Sequence, residues 1–215
     1  MQAGGWLFMI VIILFIAFVW RMFLRVSSLS DLQSDVSGQW LRGKVVYVND
    51  GDLFRFFHVP WVRSSEHHGE PTLNVRLAGI DAPERFQPFS YESKKKLKEL
   101  VLNKTVNLKL LKVDQDDRIL AICYNTFLMG FFNTTNVNTK MVELGLASVY
   151  RGRDAVYDDY KDDLLRLQAE AKERKIGVWS LKNYESPKQF RKDLWDRIER
   201  ERNERERNEN CCTCM

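Results

Sequence analysis

The segment Val75–Glu84, with the sequence VRLAGIDAPE, carries an arginine and two carboxylic acids close together in the chain. Its first residues alternate as in a strand, which Pro83 is expected to end because proline has no N–H for a ladder. Arg76 is of the type that binds phosphate in a bidentate manner, and Asp81 offers the oxygen ligands that a hard cation such as Ca²⁺ prefers. Glu84 could orient or deprotonate a water molecule. Taken alone, these residues fit a surface salt bridge equally well.

A second group of acids lies upstream, in the turn Asn49–Asp52. Strand-like runs flank this turn on both sides, over residues 39–48 and 53–59, and Pro60 closes the second run. An Asn or Asp followed by Gly between two such runs favours a β-hairpin. Ordinary turn chemistry is an alternative explanation for Asp50 and Asp52.

The remaining pattern predicts alternating strands and helices downstream of the central segment. Ser90 is expected to cap a helix that runs to about Asn103, and residues 129–138 read as polar and irregular. The other expected elements are strands over Thr105–Val113 and Arg118–Tyr124, joined by the acidic turn Asp114–Asp117, a short helix near Met141–Gly145, and a last helix over Val156–Lys175 that Gly177 ends.

Composition sets limits on the class of protein. The chain has 215 residues, of which 45% are hydrophobic, so one ordinary domain with appendages is expected. The net charge of +4 is compatible with a nucleic-acid partner without requiring one. Three of the four cysteines lie at the extreme C-terminus, which excludes a disulfide framework. The adjacent His67 and His68 are either solvated loop residues or metal ligands.

The N-terminus contains an unbroken apolar run, Trp6–Trp20. Extended to Gly4–Leu24, it has roughly the 20 residues that a bilayer requires. We expect residues 1–25 to form a transmembrane anchor and residues 26–38 a polar linker; a cleaved signal peptide is the alternative. Arg21 and Arg25 follow the run, so the positive-inside rule would place the C-terminal bulk in the cytosol if the membrane belongs to the secretory pathway.

The C-terminal residues 181–215 read as a solvated, charge-laced helix. Phe190, Leu194 and Ile198 give it two turns of apolar face, so a protein partner is one interpretation of this tail. Its last residues, Cys212–Met215, formally fit a prenylation pattern, although the middle positions are poor aliphatics.

Three ordered stretches together resemble the staphylococcal nuclease (thermonuclease) family: Asp50–Asp52, then Val75–Glu84, then the turn that ends at Arg118. The resemblance continues in the sequences VELGLA (residues 142–147) and QAEAKERKIGVW (168–179), so it covers roughly residues 40–180. It implies a mainly β fold with α: a five-stranded OB-like barrel with about three packed helices, in a domain spanning residues 39–180.

The resemblance also implies a role for each matching position. Carried over one position at a time, the catalytic residues are Arg76, Glu84 and Arg118, and the Ca²⁺ ligands are Asp52, Asp81 and the backbone carbonyl of Ala82. Glu84 would be the base that activates water, and the two arginines would clamp the phosphate. Leu53 and Ala82 depart from the family pattern, since the bacterial enzyme has threonines at both positions.

Within the family, the hairpin Asp50–Pro60 and the motif Gln87–Glu92 are similar to those of fungal membrane-anchored mitochondrial endonucleases of the long-chronological-lifespan type. The tail sequence FRKDLW resembles that of the animal mitochondrial inner-membrane subdomain organiser. The expected function is a membrane-anchored, Ca²⁺-dependent endonuclease that cleaves single-stranded or frayed DNA or RNA. The alternative is an inactive nuclease-like scaffold that organises a membrane through protein partners. The expected location is a mitochondrial membrane, or alternatively the endoplasmic reticulum or another secretory-pathway membrane.

Overall fold

Eight strands provide the framework of the protein, whose computed structural model describes residues 6, 9–16, 23–32, 35–60, 66–127 and 132–213. Alternating apolar and polar residues define the longer strands, and short turns rich in Asn, Asp and Gly separate several of them. In chain order the strands are β1 (Trp40–Val48), β2 (Leu53–His58), β3 (Leu73–Leu77), β4 (Ile80–Asp81), β5 (Thr105–Val113), β6 (Ile119–Phe127), β7 (Phe132–Asn136) and β8 (Ser148–Val149).

Five of these strands form a closed barrel. They pair in the order β3–β2–β1–β5–β6, and a parallel pairing between β3 and β6 closes the ring. The predicted five-stranded barrel is therefore confirmed, as is the hairpin that joins β1 to β2 through residues 49–52. Strand β7 pairs with β6 outside the ring, within a stretch predicted to be irregular, and β4 pairs with β8 in a separate small sheet.

The barrel is filled by apolar side chains that alternate along its strands. Phe54, Phe56, Leu108, Leu110 and Ile119 have no solvent-exposed surface at all. Burying a side chain of this size contributes roughly 1.5–3 kcal/mol relative to leaving it in water. The strands are therefore held in a fixed register, and the polar residues at their ends have fixed positions.

Three helices pack on the barrel, as predicted, and a fourth forms the tail. They are α1 (Ser90–Val101), α2 (Val137–Glu143), α3 (Lys161–Glu173) and α4 (Pro187–Thr213). The predicted cap of α1 was wrong: Ser90 is the first helical residue, and the N-cap is Phe89, whose φ of 67° is left-handed. Helix α2 starts earlier than predicted because Asn136 accepts a capping hydrogen bond from the Thr139 amide. A separate 3₁₀ turn, Asp158–Tyr160, precedes α3.

The N-terminal linker packs against the barrel instead of forming a free stalk. Val26 and Leu29 are partly buried against the main core. The Val26 amide donates a hydrogen bond to Nδ1 of His58 at 2.9 Å, and Arg25 pairs with Glu70 at 3.2 Å. The polar composition of residues 27–37 gave no indication of these contacts. A few apolar residues are nevertheless enough to hold a short linker against the core.

Residues 9–16 are helical. In the part of the chain that the structure describes, no helix combines the length and the apolar character needed to cross a bilayer. The predicted anchor falls partly outside this part, since residues 1–5, 7–8 and 17–22 are not described. The side chains of the C-terminal cysteine cluster also lie outside the described residues.

Candidate active site

Asp52 is positioned by the tight turn between β1 and β2. The amides of Asn49 and Asp50 both donate to the carbonyl of Leu53, and the Leu77 amide donates to the carbonyl of Asp52 at 2.8 Å. Gly51 lets this turn approach the segment after β4: a Cβ at this position would lie 2.7 Å from the Cβ of Ala82. Only glycine fits such a close approach. The turn thus brings the Asp52 carboxylate next to the central segment.

Arg76 and Asp81 come from consecutive strands that a bend brings together. Arg76 lies opposite Leu53 in the β2–β3 pairing, directly after Asp52 in the chain. Gly79, with a φ of 74°, supplies the left-handed bend between β3 and β4. Asp81 then pairs with Ser148 of β8, which fixes its backbone. The β1–β2 turn, strand β3 and the small β4–β8 sheet therefore hold two carboxylates and one guanidinium at fixed positions beside one another.

The guanidinium of Arg76 joins the two aspartates. Its Nη2 lies 2.8 Å from Oδ1 of Asp81 and 3.3 Å from Oδ2 of Asp52. The three side chains are only 4–19% exposed. Burial raises the pKa of Asp52 to about 6, against the opposing charge of Arg76. Burial alone would lower the pKa of Arg76, but the charges of Asp52 and Asp81 raise it.

Glu84 and Ala82 complete this cluster, which we call the carboxylate centre (Asp52, Arg76, Asp81, Ala82 and Glu84). The backbone of Ala82 lowers the pKa of Asp52, against the larger effect of burial, which raises it. Glu84 lies at the rim, with 35% of its side chain exposed. Its amide donates to Oε1 of Gln87 at 2.7 Å, and its carbonyl accepts from the Gln87 amide. Glu84 is thus held at its backbone while its carboxylate remains reachable by water.

An additional arginine, Arg191 of α4, enters the carboxylate centre. Its Nη2 lies 3.0 Å from Oδ2 of Asp81, its Nη1 lies 3.2 Å from Oδ1 of Asp81, and Nη1 also contacts Oε1 of Glu84. These contacts raise the pKa of Arg191, although burial opposes the rise. No sequence pattern connected this residue with the site, because it lies in the tail motif FRKDLW, 110 positions after Asp81.

Arg118 occupies a different place from the other predicted residues. Its Nε lies 2.8 Å from Oδ2 of Asp114, and its Nη2 contacts the Asp116 carboxylate. It lines an open cleft of about 510 Å³, which we call the Arg118 cleft; further lining residues include Lys112, Arg153 and Asp154. The contacts found for its guanidinium are thus with its own turn and not with the carboxylate centre.

Tyr150 connects the two regions. Its ring centroid lies 5.7 Å from the guanidinium carbon of Arg76, and its hydroxyl donates to Oδ1 of Asp154 at 2.9 Å. Asp154 in turn lines the Arg118 cleft. The cleft therefore adjoins the carboxylate centre. Sequence reasoning missed Tyr150, which follows β8 without any motif of its own.

Among the described side chains, no three His, Cys, Asp or Glu residues form a ready-made metal cluster. The carboxylate centre offers two buried aspartates and a backbone carbonyl instead. At the alternative histidine position, His67 makes an edge-to-face contact with Phe57, with ring centroids 4.9 Å apart, and His68 pairs with Glu66 at 3.4 Å. Both histidines therefore have ordinary structural contacts.

Several known proteins are similar to this sequence over most of its length. Residues 74–181 match the family described as Staphylococcal nuclease homologue. Endonuclease Htp3 of Saprolegnia parasitica is 35% identical over 182 residues, which are 79% of this chain and 85% of that protein. Probable endonuclease LCL3 of Komagataella phaffii is 32% identical over 173 residues, 71% of this chain and 75% of that protein. A probable endonuclease of Schizosaccharomyces pombe is 36% identical over 157 residues, 64% and 68% of the two chains. The chain therefore belongs to the staphylococcal nuclease homologue family, in agreement with the resemblance that its ordered motifs predicted.

Proposed function

We propose that this protein is a membrane-anchored, Ca²⁺-dependent endonuclease that hydrolyses phosphodiester bonds in DNA or RNA. The observation that carries the proposal is the carboxylate centre, in which two buried aspartates share one guanidinium beside a more exposed glutamate. Relatives named endonucleases support the same reaction class.

The charges of the centre favour a divalent cation. Asp52, Asp81 and Glu84 are three carboxylates, and the barrel itself supplies one guanidinium, that of Arg76, so two negative charges remain. The donors are all oxygens, as Ca²⁺ prefers. The ligands would be Asp52, Asp81 and the Ala82 carbonyl. A bound Ca²⁺ would polarise the phosphate and offset the negative charge that develops during hydrolysis.

The chain's own residues would have separate roles in this reaction. Arg76 faces both aspartates, so its remaining N–H groups are available to orient a phosphate oxygen. Glu84 is exposed enough to accept a proton from an attacking water. Its backbone contacts with Gln87 fix the main chain from which the carboxylate extends.

The Arg118 cleft suits the substrate backbone beside the scissile phosphate. Lys112, Arg118 and Arg153 line an open groove that could accept a flexible strand, and three aspartates line the same groove. A phosphate would therefore bind Arg118 by replacing one of the acids that pair with it. Phosphate contacts of this kind carry no base preference. We therefore propose little sequence specificity and a preference for single-stranded or frayed nucleic acid.

Membrane attachment and a mitochondrial location are parts of the same proposal. The apolar run Gly4–Leu24 supports the anchor, and the sequence resemblance to anchored fungal enzymes supports the organelle. Protease accessibility of tags on each end, in isolated organelles, tests the topology. If the protein is found in secretory-pathway membranes, the mitochondrial part of the proposal is wrong.

One observation favours an additional protein partner. Helix α4 exposes Leu194, Trp195 and Ile198, which are 41–68% accessible to solvent. Exposed apolar groups on a projecting helix are typical of partner binding. A scaffold role is therefore the second candidate function, and it requires no catalysis.

The deciding experiment measures cleavage of heat-denatured DNA by the purified full-length chain, with Ca²⁺ or with chelator. Glu84→Gln removes the proposed base, and Glu92→Gln removes an exposed carboxylate on α1 as the matched control. We expect Glu84→Gln to lower kcat by roughly 10³-fold or more, with the control close to the wild type.

Two results would overturn the proposal. One is a wild-type protein that does not cleave nucleic acid in Ca²⁺, which would leave the scaffold. The other is cleavage by Glu84→Gln at the wild-type rate, which would place the reaction elsewhere in the molecule.

A further inference from the structure

We propose that Arg191 is an inhibitory latch, which competes with the divalent cation for Asp81 and Glu84 and must withdraw before the site is loaded. This inference rests on the cation site of the proposed function and adds a regulatory role for helix α4.

The first argument is the occupation of ligand oxygens. Both carboxylate oxygens of Asp81 are bound by guanidinium groups: Oδ1 by Arg76 at 2.8 Å and by Arg191 at 3.2 Å, and Oδ2 by Arg191 at 3.0 Å. Three of the roughly four acceptor sites of this carboxylate are therefore in use, so a cation that binds Asp81 competes with the guanidiniums for its oxygens. The contact with Arg76 lies within the barrel, whereas the contact with Arg191 joins the barrel to the tail.

The second argument is charge. With Arg191 in place, three carboxylates face two guanidiniums, so one negative charge remains. A divalent cation added to this arrangement would give an excess positive charge next to Asp81, whose side chain is only 4% exposed. Like charges repel strongly where water is excluded. With Arg191 withdrawn, the two negative charges that remain match one divalent cation.

The third argument is the weak attachment of α4. Every residue from Lys192 to Arg207 is exposed, so the helix contacts the body through its first turn only. An open pocket of about 170 Å³ lies between the Pro83–Pro88 segment and residues 178–190, and Pro187 and Phe190 line it at the start of α4. Withdrawal of the helix from Arg191 onwards therefore loses few packed contacts.

The latch also acts on the proposed base. Nη1 of Arg191 contacts Glu84 as well as Asp81, so one guanidinium engages a cation ligand and the base together. Arg191 lies beyond residue 181, where the match to the family ends, and so forms no part of the matched nuclease domain. A side chain that blocks two working groups from outside the domain fits inhibition better than catalysis.

The test compares full-length wild type with Arg191→Gln, and uses Lys192→Gln as a control that removes the same charge from the next, exposed position of α4. Ca²⁺ binding is measured by titration calorimetry with the metal alone, and thermal unfolding verifies that each variant is folded. We expect Arg191→Gln to tighten Ca²⁺ binding by roughly tenfold, the factor for a latch closed about nine-tenths of the time. Lys192→Gln should bind like the wild type.

A second readout follows the helix itself. In the wild type, hydrogen exchange of the amides in residues 183–191 should accelerate when Ca²⁺ is added. Arg191→Gln should show fast exchange with or without Ca²⁺.

The outcomes separate the latch from the proposed function. Unchanged or weaker Ca²⁺ binding in Arg191→Gln overturns the latch, even if the wild type cleaves DNA. A loss of cleavage by this variant at saturating Ca²⁺ also overturns it, because Arg191 would then contact the phosphate. Tighter binding without any cleavage by either protein supports the latch and refutes the nuclease.

Discussion

Arg76 and Arg118 lie in contrasting surroundings. Arg76 is the second-last residue of β3 and is 19% exposed, and it pairs with Asp52 of the β1–β2 turn and with Asp81 of β4. Arg118 adjoins the exposed turn between β5 and β6, is 25% exposed, and pairs with Asp114 and Asp116 of that same turn. One arginine is held by tertiary structure and the other by its immediate neighbours.

This difference separates a rigid part of the site from an adjustable part. The barrel core fixes the carboxylate centre, so Arg76 needs little rearrangement to meet a phosphate. Arg118 must exchange at least one acidic partner before it can bind the same phosphate. Its pair with Asp116, which is 69% exposed, is a surface ion pair of the kind that contributes only about 0–1 kcal/mol. The predictions below test this division.

Arg76→Ala should have the largest effect. Its removal eliminates the fixed phosphate contact and leaves two buried carboxylates without their shared partner. We expect kcat to fall roughly 10³-fold or more and the free energy of unfolding to fall by about 3 kcal/mol. Cleavage assays and denaturant unfolding measure the two effects. Compared with Arg76→Ala, Arg76→Lys should recover more of the stability than of the activity. A lysine keeps the positive charge but lacks the paired N–H donors with which a guanidinium binds a phosphate. Activity of Arg76→Ala within tenfold of the wild type would refute a central role for Arg76.

Arg118→Ala should separate activity from stability. We expect kcat/KM to fall roughly 10²-fold, since one phosphate contact is lost. The free energy of unfolding should change by less than about 0.5 kcal/mol, because the turn retains the hydrogen bonds that Asp114 accepts from the Asp116 amide and the amide of residue 118. A loss of stability equal to that of Arg76→Ala would remove the distinction between the two regions.

The same distinction explains what could be predicted from the sequence. The hairpin at Asn49–Asp52 is local, since turn residues and alternation specify it within a few positions. The bend at Gly79 was not predicted, because the alternation from Val75 onwards reads as one continuous strand, whereas β3 ends at Leu77. Strand β7 was missed because its Asn and Thr residues are typical of a loop. It forms a strand because it pairs with β6, and a local sequence pattern does not reveal that pairing. Arg191 was missed for a related reason: 107 residues separate it from Glu84, and no local pattern encodes such a contact.

Asp52→Asn tests the burial of the centre through the pH dependence of stability. The pKa of Asp52 is raised from 3.8 to about 6, so the ionised form is less favourable in the folded chain than in the unfolded one. Without metal, the contribution of Asp52 to the free energy of unfolding is most favourable below pH 4, and this stability is lost as the pH rises through about 6. At pH 7 in chelator, Asp52→Asn should therefore be more stable by about 3 kcal/mol.

The measurement is denaturant unfolding of both proteins at pH 4 and at pH 7. The difference between them should nearly vanish at the lower pH, where Asp52 is protonated in the folded wild type. A constant difference at both values would show that the asparagine acts through packing and not through charge.

Asp116→Asn should have the smallest effect and acts only on the adjustable part. Asp116 is 69% exposed and pairs with the Arg118 guanidinium, so the substitution frees an N–H group for the substrate. We expect kcat/KM for denatured DNA to rise two- to fivefold, mainly through a lower KM. A change of this size corresponds to the free energy that one exposed ion pair contributes. Asp117→Asn, an exposed neighbour in the same turn, controls for the general gain in positive charge. Equal gains in the two variants would mean that Asp116 does not restrain Arg118. A gain confined to Asp116→Asn would mean that the turn's own acid competes with the substrate for this arginine.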